Sequence, residues 1–351
     1  MSSPLWAVLP GGIDDPAAPS GGNRYDRRVL DIASGQRDVH EVAIAGSWPR
    51  PAAGARAALG RALTDIPDGA AVLLDGLVAC GVPELLAPHV DRLRLIILVH
   101  LPLCDETGLP AAEAAELRAS ERAALHLASA VLATSMPAAL HIGDMHDISG
   151  VRVVEPGVDP APLAEPSSAD NRLLCVASVT PRKGQDLLVD VLENQLADLD
   201  WECTFVGALA QPVPHTSPRI RFAGPRTGAD LDASYAEADL FVLASRAETY
   251  GMVVTEALAR GLPVIATEVG GVPDALGFAS DGSRPGLLIP PEDRAALAGA
   301  LRAWLTDDAL RSRWRAAARS RREHLPSWAA TAEQINDVVN DLAGHSEGEH
   351  A

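Results

Sequence analysis

The run SRAETYGMVVTEALARGLPVIATEVGGVPDAL, residues 245–276, carries one strand into a helix and on to a second strand. The first strand ends at Ser245, and a short loop then brings in Glu248. A helix is predicted from about Tyr250 to Gly251 as far as Arg260, where Gly261 and Pro263 stop it. The apolar run VIAT (264–267) follows at once.

The same alternation extends to both ends of the chain. In the first half the strand candidates are LWAVLP (5–10), VHEVAI (39–44), AAVLLDGLVA (70–79), RLIILVHLP (94–102) and AVLATS (130–135). In the second half they are RLLCVAS (172–178), ECTFVG (202–207), RIRFAG (219–224), LFVLAS (240–245), VIAT and GLLIP (286–290). Near-continuous apolar runs separated by Ala-rich helices are what a parallel sheet covered on both faces requires. Between the two series lies VEPGVDPAPLAEPSSADN (154–171), rich in Pro, Ser and Asp and without periodicity, which reads as a linker. The fold class is therefore α/β with two doubly wound domains, over 1–156 and 157–325, and a helical tail over 326–351 that ends in a polar HSEGEHA segment expected to fray.

A chain of 351 residues suits two domains, and 47% hydrophobic residues with mean hydropathy +0.08 exclude disorder along its whole length. The net charge is −18, which argues against nucleic acid or anionic lipid as the main partner. The 29 basic residues are 28 Arg and one Lys, Lys183. Cys80, Cys104, Cys175 and Cys203 form no C-x-x-C pair and sit in or beside apolar runs, as buried thiols of a reducing compartment do. With neither a signal-peptide pattern nor an apolar run long enough to span a bilayer, the expectation is a soluble, cytoplasmic protein.

Two segments carry the chemistry. In 245–276, Glu248 and Glu256 are eight residues apart, which places one carboxylate at the helix mouth and the other two turns in. Backbone amides at that mouth form an anion site, and Gly251 lets a ligand approach the main chain. An extended ligand with polyols at both ends and a diphosphate between them fits this layout. The spacing alone equally accommodates two solvated helix glutamates. In LLCVASVTPRKGQDLLVDVL (173–192), Arg182 and Lys183 stand at a helix N-terminus, where two cations are unfavourable unless an anion sits there. A compact ammonium acts on phosphate as a point charge, although a lone Lys is also what a surface remnant would look like.

The E-x7-E pair, the ALARGLPVIAT and VGGVP runs, the strand–PRKG–helix segment and AGP…SYAEADLFVLAS together resemble the C-terminal half of the retaining glycosyltransferases of family four. More loosely, SGGNRYDRRVLDIA (20–33), LVHLPL (98–103), VEPGVD (154–159) and SWAATAEQINDVV resemble that family's N-terminal loop, His-bearing strand, interdomain segment and last helix. The resemblance implies the GT-B fold, with a deep interdomain cleft and a last helix crossing back to the first domain. It also implies a nucleotide-sugar donor, UDP-linked by preference, and retention at the anomeric carbon without a metal. Glu248 would hold hydroxyls of the transferred sugar and Glu256 the ribose diol. The amides of Tyr250, Gly251, Met252, Val253 and Val254 would hold sugar and phosphate, Lys183 the diphosphate, and His100 the sugar's far hydroxyl or the reacting face. Where the family has an Arg before its Lys, this chain has Ser178; either Arg182 substitutes or the leaving group is held mainly by Lys183 and backbone amides.

Gly21 and Gly22, with Asn23 as a potential helix cap, form either a plain turn or a phosphate or acceptor site. Asn23, Tyr25, Asp105 and Glu106 are the acceptor candidates, with capping of the helix near Ala111 as the other reading of Asp105 and Glu106. His141, Asp144 and His146 fit no standard metal spacing, and no D-x-D pair ends a strand, so neither metal nor cofactor is expected. Residues 1–156 hold 12 Arg, no Lys and 19 Asp or Glu, which favours a soluble small-molecule acceptor over a lipid. A silent sugar-nucleotide binder, an epimerase and a phosphorylase are competing readings of the same motifs.

Overall fold

The computed structural model describes residues 4–15 and 19–344, and the HSEGEHA end lies outside them. The chain divides into two compact units. One takes residues 20–157 with the strand Leu5–Pro10 and the helix Trp328–Gly344, and the other takes residues 158–326.

The first unit is built on six parallel strands: β1 (Leu5–Pro10), β2 (Val39–Ile44), β3 (Ala71–Asp75), β4 (Arg94–Val99), β5 (Ala130–Ala133) and β6 (Arg152–Val153). Their order is β2-β1-β3-β4-β5-β6. Every residue of β3 and all but the first of β4 are buried, which is why those runs read as continuously apolar. The edge strand β2 is only half-buried and carries the polar residues. At two residues β6 is too short to leave a periodic signal, and the sequence reading passed over it.

The run AAVLLDGLVA is not one strand. It breaks at Asp75, whose Oδ1 accepts the Leu77 amide at 2.7 Å and caps the short helix Gly76–Ala79. Gly76 is needed there because a Cβ would lie 2.9 Å from the Leu98 carbonyl oxygen. The terminal helix packs on the helix Gly21–Ala33: Tyr25 meets Trp328 edge-on at 5.6 Å, and Arg37 donates to Asn340.

The second unit has six parallel strands of its own: β7 (Arg172–Val176), β8 (Glu202–Val206), β9 (Ile220–Phe222), β10 (Leu240–Leu243), β11 (Val264–Thr267) and β12 (Gly286–Ile289). Their order is β12-β11-β10-β7-β8-β9. One apolar layer includes Trp201, Phe205 and Trp304, and another includes Tyr235, Phe241 and Leu258. Residues 154–171 form no helix or strand.

In both sheets the strand order reverses once, between β1 and β3 and between β7 and β10. Chain connections leave in opposite directions at such a point, so a crevice opens beyond the carboxyl ends of the strands. Among the described residues no helix is long and apolar enough to cross a membrane.

Candidate functional site

In the second unit β7 and β10 lie side by side at the reversal, and the loops beyond them supply the charges. After β7, Pro181–Lys183 form a single 3-10 turn that ends in Gly184, which then caps the helix Gln185–Gln195. Gly184 has φ +64°, and a Cβ there would lie 2.0 Å from the Ala244 carbonyl oxygen, so the turn is pressed against the end of β10. That contact brings Lys183 to Glu248.

Lys183 Nζ donates to Glu248 Oε1 at 2.6 Å, Ser245 Oγ donates to the same oxygen at 2.7 Å, and Arg182 Nη1 lies 3.8 Å from Oε2. The Glu248 side chain is 6% exposed, Lys183 17% and Arg182 16%. Burial pushes the Glu248 carboxyl up, but Lys183, then Ser245 and Arg182, outweigh it and hold it below the usual value. Two cations flank this carboxylate, an arrangement that suits an anionic ligand. Arg182 also donates to the Ala247 carbonyl at 3.2 Å. Gly270, from the VGGVP run, has φ +48°, and a Cβ there would meet the Glu248 carbonyl oxygen at 1.7 Å. The loop carrying Glu248 can sit where it does only above a glycine.

The helix of this segment is Met252–Ala259, capped by Gly251 at φ +92°, one to two residues later than the sequence suggested. Glu256 is therefore one turn into the helix, not two. It is buried, and its Oε2 accepts the Tyr235 hydroxyl at 2.8 Å. The Val254 amide bonds the Gly251 carbonyl at 2.8 Å, so it is not a free donor; Met252 and Val253 supply the helix's own first-turn amides. The Tyr250 ring belongs to the core. Ser178 is half-buried just beyond β7, where its carbonyl accepts Gln185 Nε2 at 3.0 Å.

In the first unit His100 follows β4, and its Nε2 lies 2.8 Å from Asp26 Oδ1 on the helix Gly21–Ala33. Asp75, at the end of β3, completes a trio whose ligating atoms all lie within 4.8 Å of one another. Among the described residues this is the group whose geometry could hold a metal ion. Gly22 brings the helix mouth against the imidazole: a Cβ there would lie 3.0 Å from its ring. Gly21 and Gly22 are the helix's first two residues, and its cap is Ser20, not Asn23: Ser20 Oγ accepts the Asn23 amide at 3.0 Å.

Tyr25, expected to face an acceptor, is fully buried. Its hydroxyl donates to the Val154 carbonyl at 3.0 Å and its ring packs on His100, because its helix position turns it toward the core. Asp105 pairs with His141 at 2.9 Å, and Glu106 accepts the Thr107 amide at 3.0 Å. Neither caps the helix Ala111–Leu125, which begins after Pro110 without a side-chain cap. His146 is buried against Glu121 at 3.0 Å, apart from His141's pairing, so the HIGDMH run does not act as one cluster.

Asp26, Asp75, Ser245 and Gly270 were not singled out from sequence. An Asp closing a buried apolar strand and followed by Gly, as in AVLLDG, is the signal that could have flagged Asp75. The first Gly of VGGVP could have flagged Gly270.

Residues 170–307 match the family model described as glycosyl transferases group 1. A D-inositol 3-phosphate glycosyltransferase of Kineococcus radiotolerans is 32% identical over 227 residues, 55% of this chain and 52% of that protein. Another, from Corynebacterium glutamicum, is 42% identical over 125 residues, 35% of this chain and 28% of that protein. The chain thus matches about half or less of the length of these curated relatives. Sucrose-phosphate synthase from Thermosynechococcus elongatus superposes with a TM-score of 0.77 at 20% identity, covering 98% of this chain and 100% of that one. HepE of Anabaena, solved in complex with UDP-glucose, superposes with a TM-score of 0.69 at 18% identity, covering 96% of this chain and 99% of that one. Residues 170–307 are thus similar to the glycosyl transferases of group 1, and the two parallel α/β units have the GT-B fold.

Proposed function

We propose that the chain transfers a sugar from a nucleotide-sugar, UDP-linked by preference, to a soluble small-molecule acceptor in the cytoplasm, with retention and without a metal. One observation carries this reading. At the β7/β10 reversal, Lys183 and Arg182 converge on the buried carboxylate of Glu248, which sets two cations at the mouth of the next helix. A diphosphate supplies the matching anion, and the Met252 and Val253 amides add donors at the helix mouth. Glu248, anchored by Ser245, is the acceptor for sugar hydroxyls, and Glu256, steadied by Tyr235, serves the ribose. Arg182 takes the place of the arginine that Ser178 lacks.

In the reaction an acceptor hydroxyl attacks the anomeric carbon on the face from which the diphosphate departs. The bond from that carbon to the diphosphate oxygen breaks through an oxocarbenium-like state, and the hydroxyl proton passes to the leaving oxygen. Lys183 and Arg182 stabilise the charge that develops there. A thermal-shift screen over UDP, GDP, ADP and dTDP with their sugars tests the donor. A ligand at 100 times its Kd stabilises the native state by about 2.7 kcal/mol, and UDP with a UDP-sugar is the expected hit. A screen in which no nucleotide or nucleotide-sugar raises the melting temperature would sink the proposal.

A further inference from the structure

The trio in the first unit holds more acid than its one imidazole can balance. Asp26 and Asp75 are both buried, and His100 reaches Asp26 through Nε2 at 2.8 Å. Asp26 Oδ2 is also buried, and it has no hydrogen-bond donor in the protein. A buried acceptor without a donor costs about 1–3 kcal/mol, more when charged, and two neighbouring buried carboxylates do not both ionise readily. A single proton on Asp75, directed at Asp26 Oδ2, relieves both costs. Asp75 is held in place for this by the Leu77 amide on its Oδ1. Among the described residues the other titratable neighbours are Tyr25, edge-on to the imidazole, whose hydroxyl is committed to the Val154 carbonyl and whose pKa burial, then Asp26, pushes well up, and the Cys80 thiol, which burial, then Glu121 and Asp75, push well up.

We propose that Asp26 and Asp75 share one proton beneath His100, and that this pair holds the imidazole charged and turned so that Nδ1–H points away from it. Asp26 and Asp75 are then positioning residues. They act through His100, whose imidazole they hold fixed and charged against the mouth of the helix Gly21–Ala33. The protonation balance agrees. Burial opposes the charge on His100, but Asp26 and then Asp75 outweigh it and raise its pKa to about 9. Burial, then Asp26, raises Asp75 to about 7.

Side-chain NMR titration of the full chain tests this, with the His100 ring assigned by comparison with His100→Gln. The wild-type imidazole is expected to titrate near 9 and the Asp75 carboxyl near 7, a pair of readings that requires no folded variant. Asp26→Asn should lower the His100 value by about 1–3 pH units through loss of the adjacent charge. Asp75, with its pKa of about 7, has lost its proton before His100 titrates, so Asp75→Asn also removes a charge; it should lower the His100 value by less than Asp26→Asn does, because Asp26 alone bonds the ring. An Asp75 carboxyl titrating near its ordinary 3.8 overturns the shared proton, as does an Asp75 value left unmoved by Asp26→Asn. Stoichiometric binding of Zn²⁺ or Mn²⁺ by the wild type, lost in both variants, overturns it in favour of a metal. If the titrations come out as expected and no nucleotide-sugar is turned over, the proposed function fails while the shared proton stands.

Discussion

The two units place charged side chains at equivalent points of their sheets, beyond the carboxyl ends of the strands where the order reverses, yet the charge inventories are opposite. In the second unit two cations, Lys183 and Arg182, face one carboxylate, Glu248. In the first, one imidazole faces two carboxylates, Asp26 and Asp75. A parallel α/β sheet fixes where a ligand can bind. The inventory decides what is bound. Two cations beside a carboxylate, with Lys183 17% exposed, suit an anion from solution, whereas a negative surplus that is almost fully buried is most simply met by a proton.

The largest effect should come from breaking the cationic side of this contrast. Lys183→Ala removes the shorter of the two ion pairs to Glu248 and leaves only Arg182 at 3.8 Å. Turnover of the nucleotide-sugar should fall by about 10²-fold or more, the usual consequence of losing one preorganised charge contact to a leaving group. Steady-state kinetics with the donor identified by thermal shift gives the comparison. Near-normal turnover in this variant would mean that the Lys183 charge in the second unit has no part in the chemistry.

The second unit was the more legible in sequence, for a physical reason. Its charged groups come in two short stretches: Glu248 and Gly251 lie within one loop, and Arg182 and Lys183 stand at one turn. Spacing carried each stretch, whereas the pairing of Lys183 with Glu248 spans 65 residues and was not readable from it. The parallel sheets were also legible, because strands buried on both faces leave unbroken apolar runs such as LIILV. The first unit's trio draws on three separate elements, at residues 26, 75 and 100, and nothing local in the chain announces their meeting. Tyr25 and Asn23 were misread for a related reason. A polar-looking helix start hides which face turns inward, and here Tyr25 lies in the core while Ser20, outside the helix, does the capping.

Glycines sharpen the contrast further. In the second unit Gly270 has φ +48° and main-chain atoms of Glu248 where a Cβ would go; in the first, Gly22 has ordinary helical geometry and a movable imidazole edge at 3.0 Å. Gly270→Ala should cost about 1–3 kcal/mol of stability, the range for a side chain forced into the left-handed region, and should weaken nucleotide affinity by displacing Glu248. Gly22→Ala should stay within about 1 kcal/mol, because the gain in helix propensity offsets a small ring shift. Melting curves of both variants, with and without nucleotide, provide the check. Equal losses would show that the first helix mouth is as tightly built as the Glu248 loop.

The smallest effect separates the two units by pH. Glu248 is held below its ordinary value of 4.5, so its stabilising contribution is present above that value and is lost as pH falls. His100 is held above its ordinary 6.5, so its contribution is complete below that value and fades as pH rises through about 9. Asp75 acts in the same sense, complete below 3.8 and fading through about 7. Ser245→Ala removes only a hydroxyl from Glu248 Oε1 and leaves Lys183 on the same oxygen, so the loss at neutral pH should be about 1 kcal/mol. At about 1.36 kcal/mol per pH unit, the onset of acid destabilisation should then move up by about 0.7 of a unit. The alkaline limb should not move, because it belongs to the His100 trio in the other unit. Melting temperatures of the wild type and Ser245→Ala measured across both limbs test this, and a shift of the alkaline limb would show that the two charge clusters are not independent.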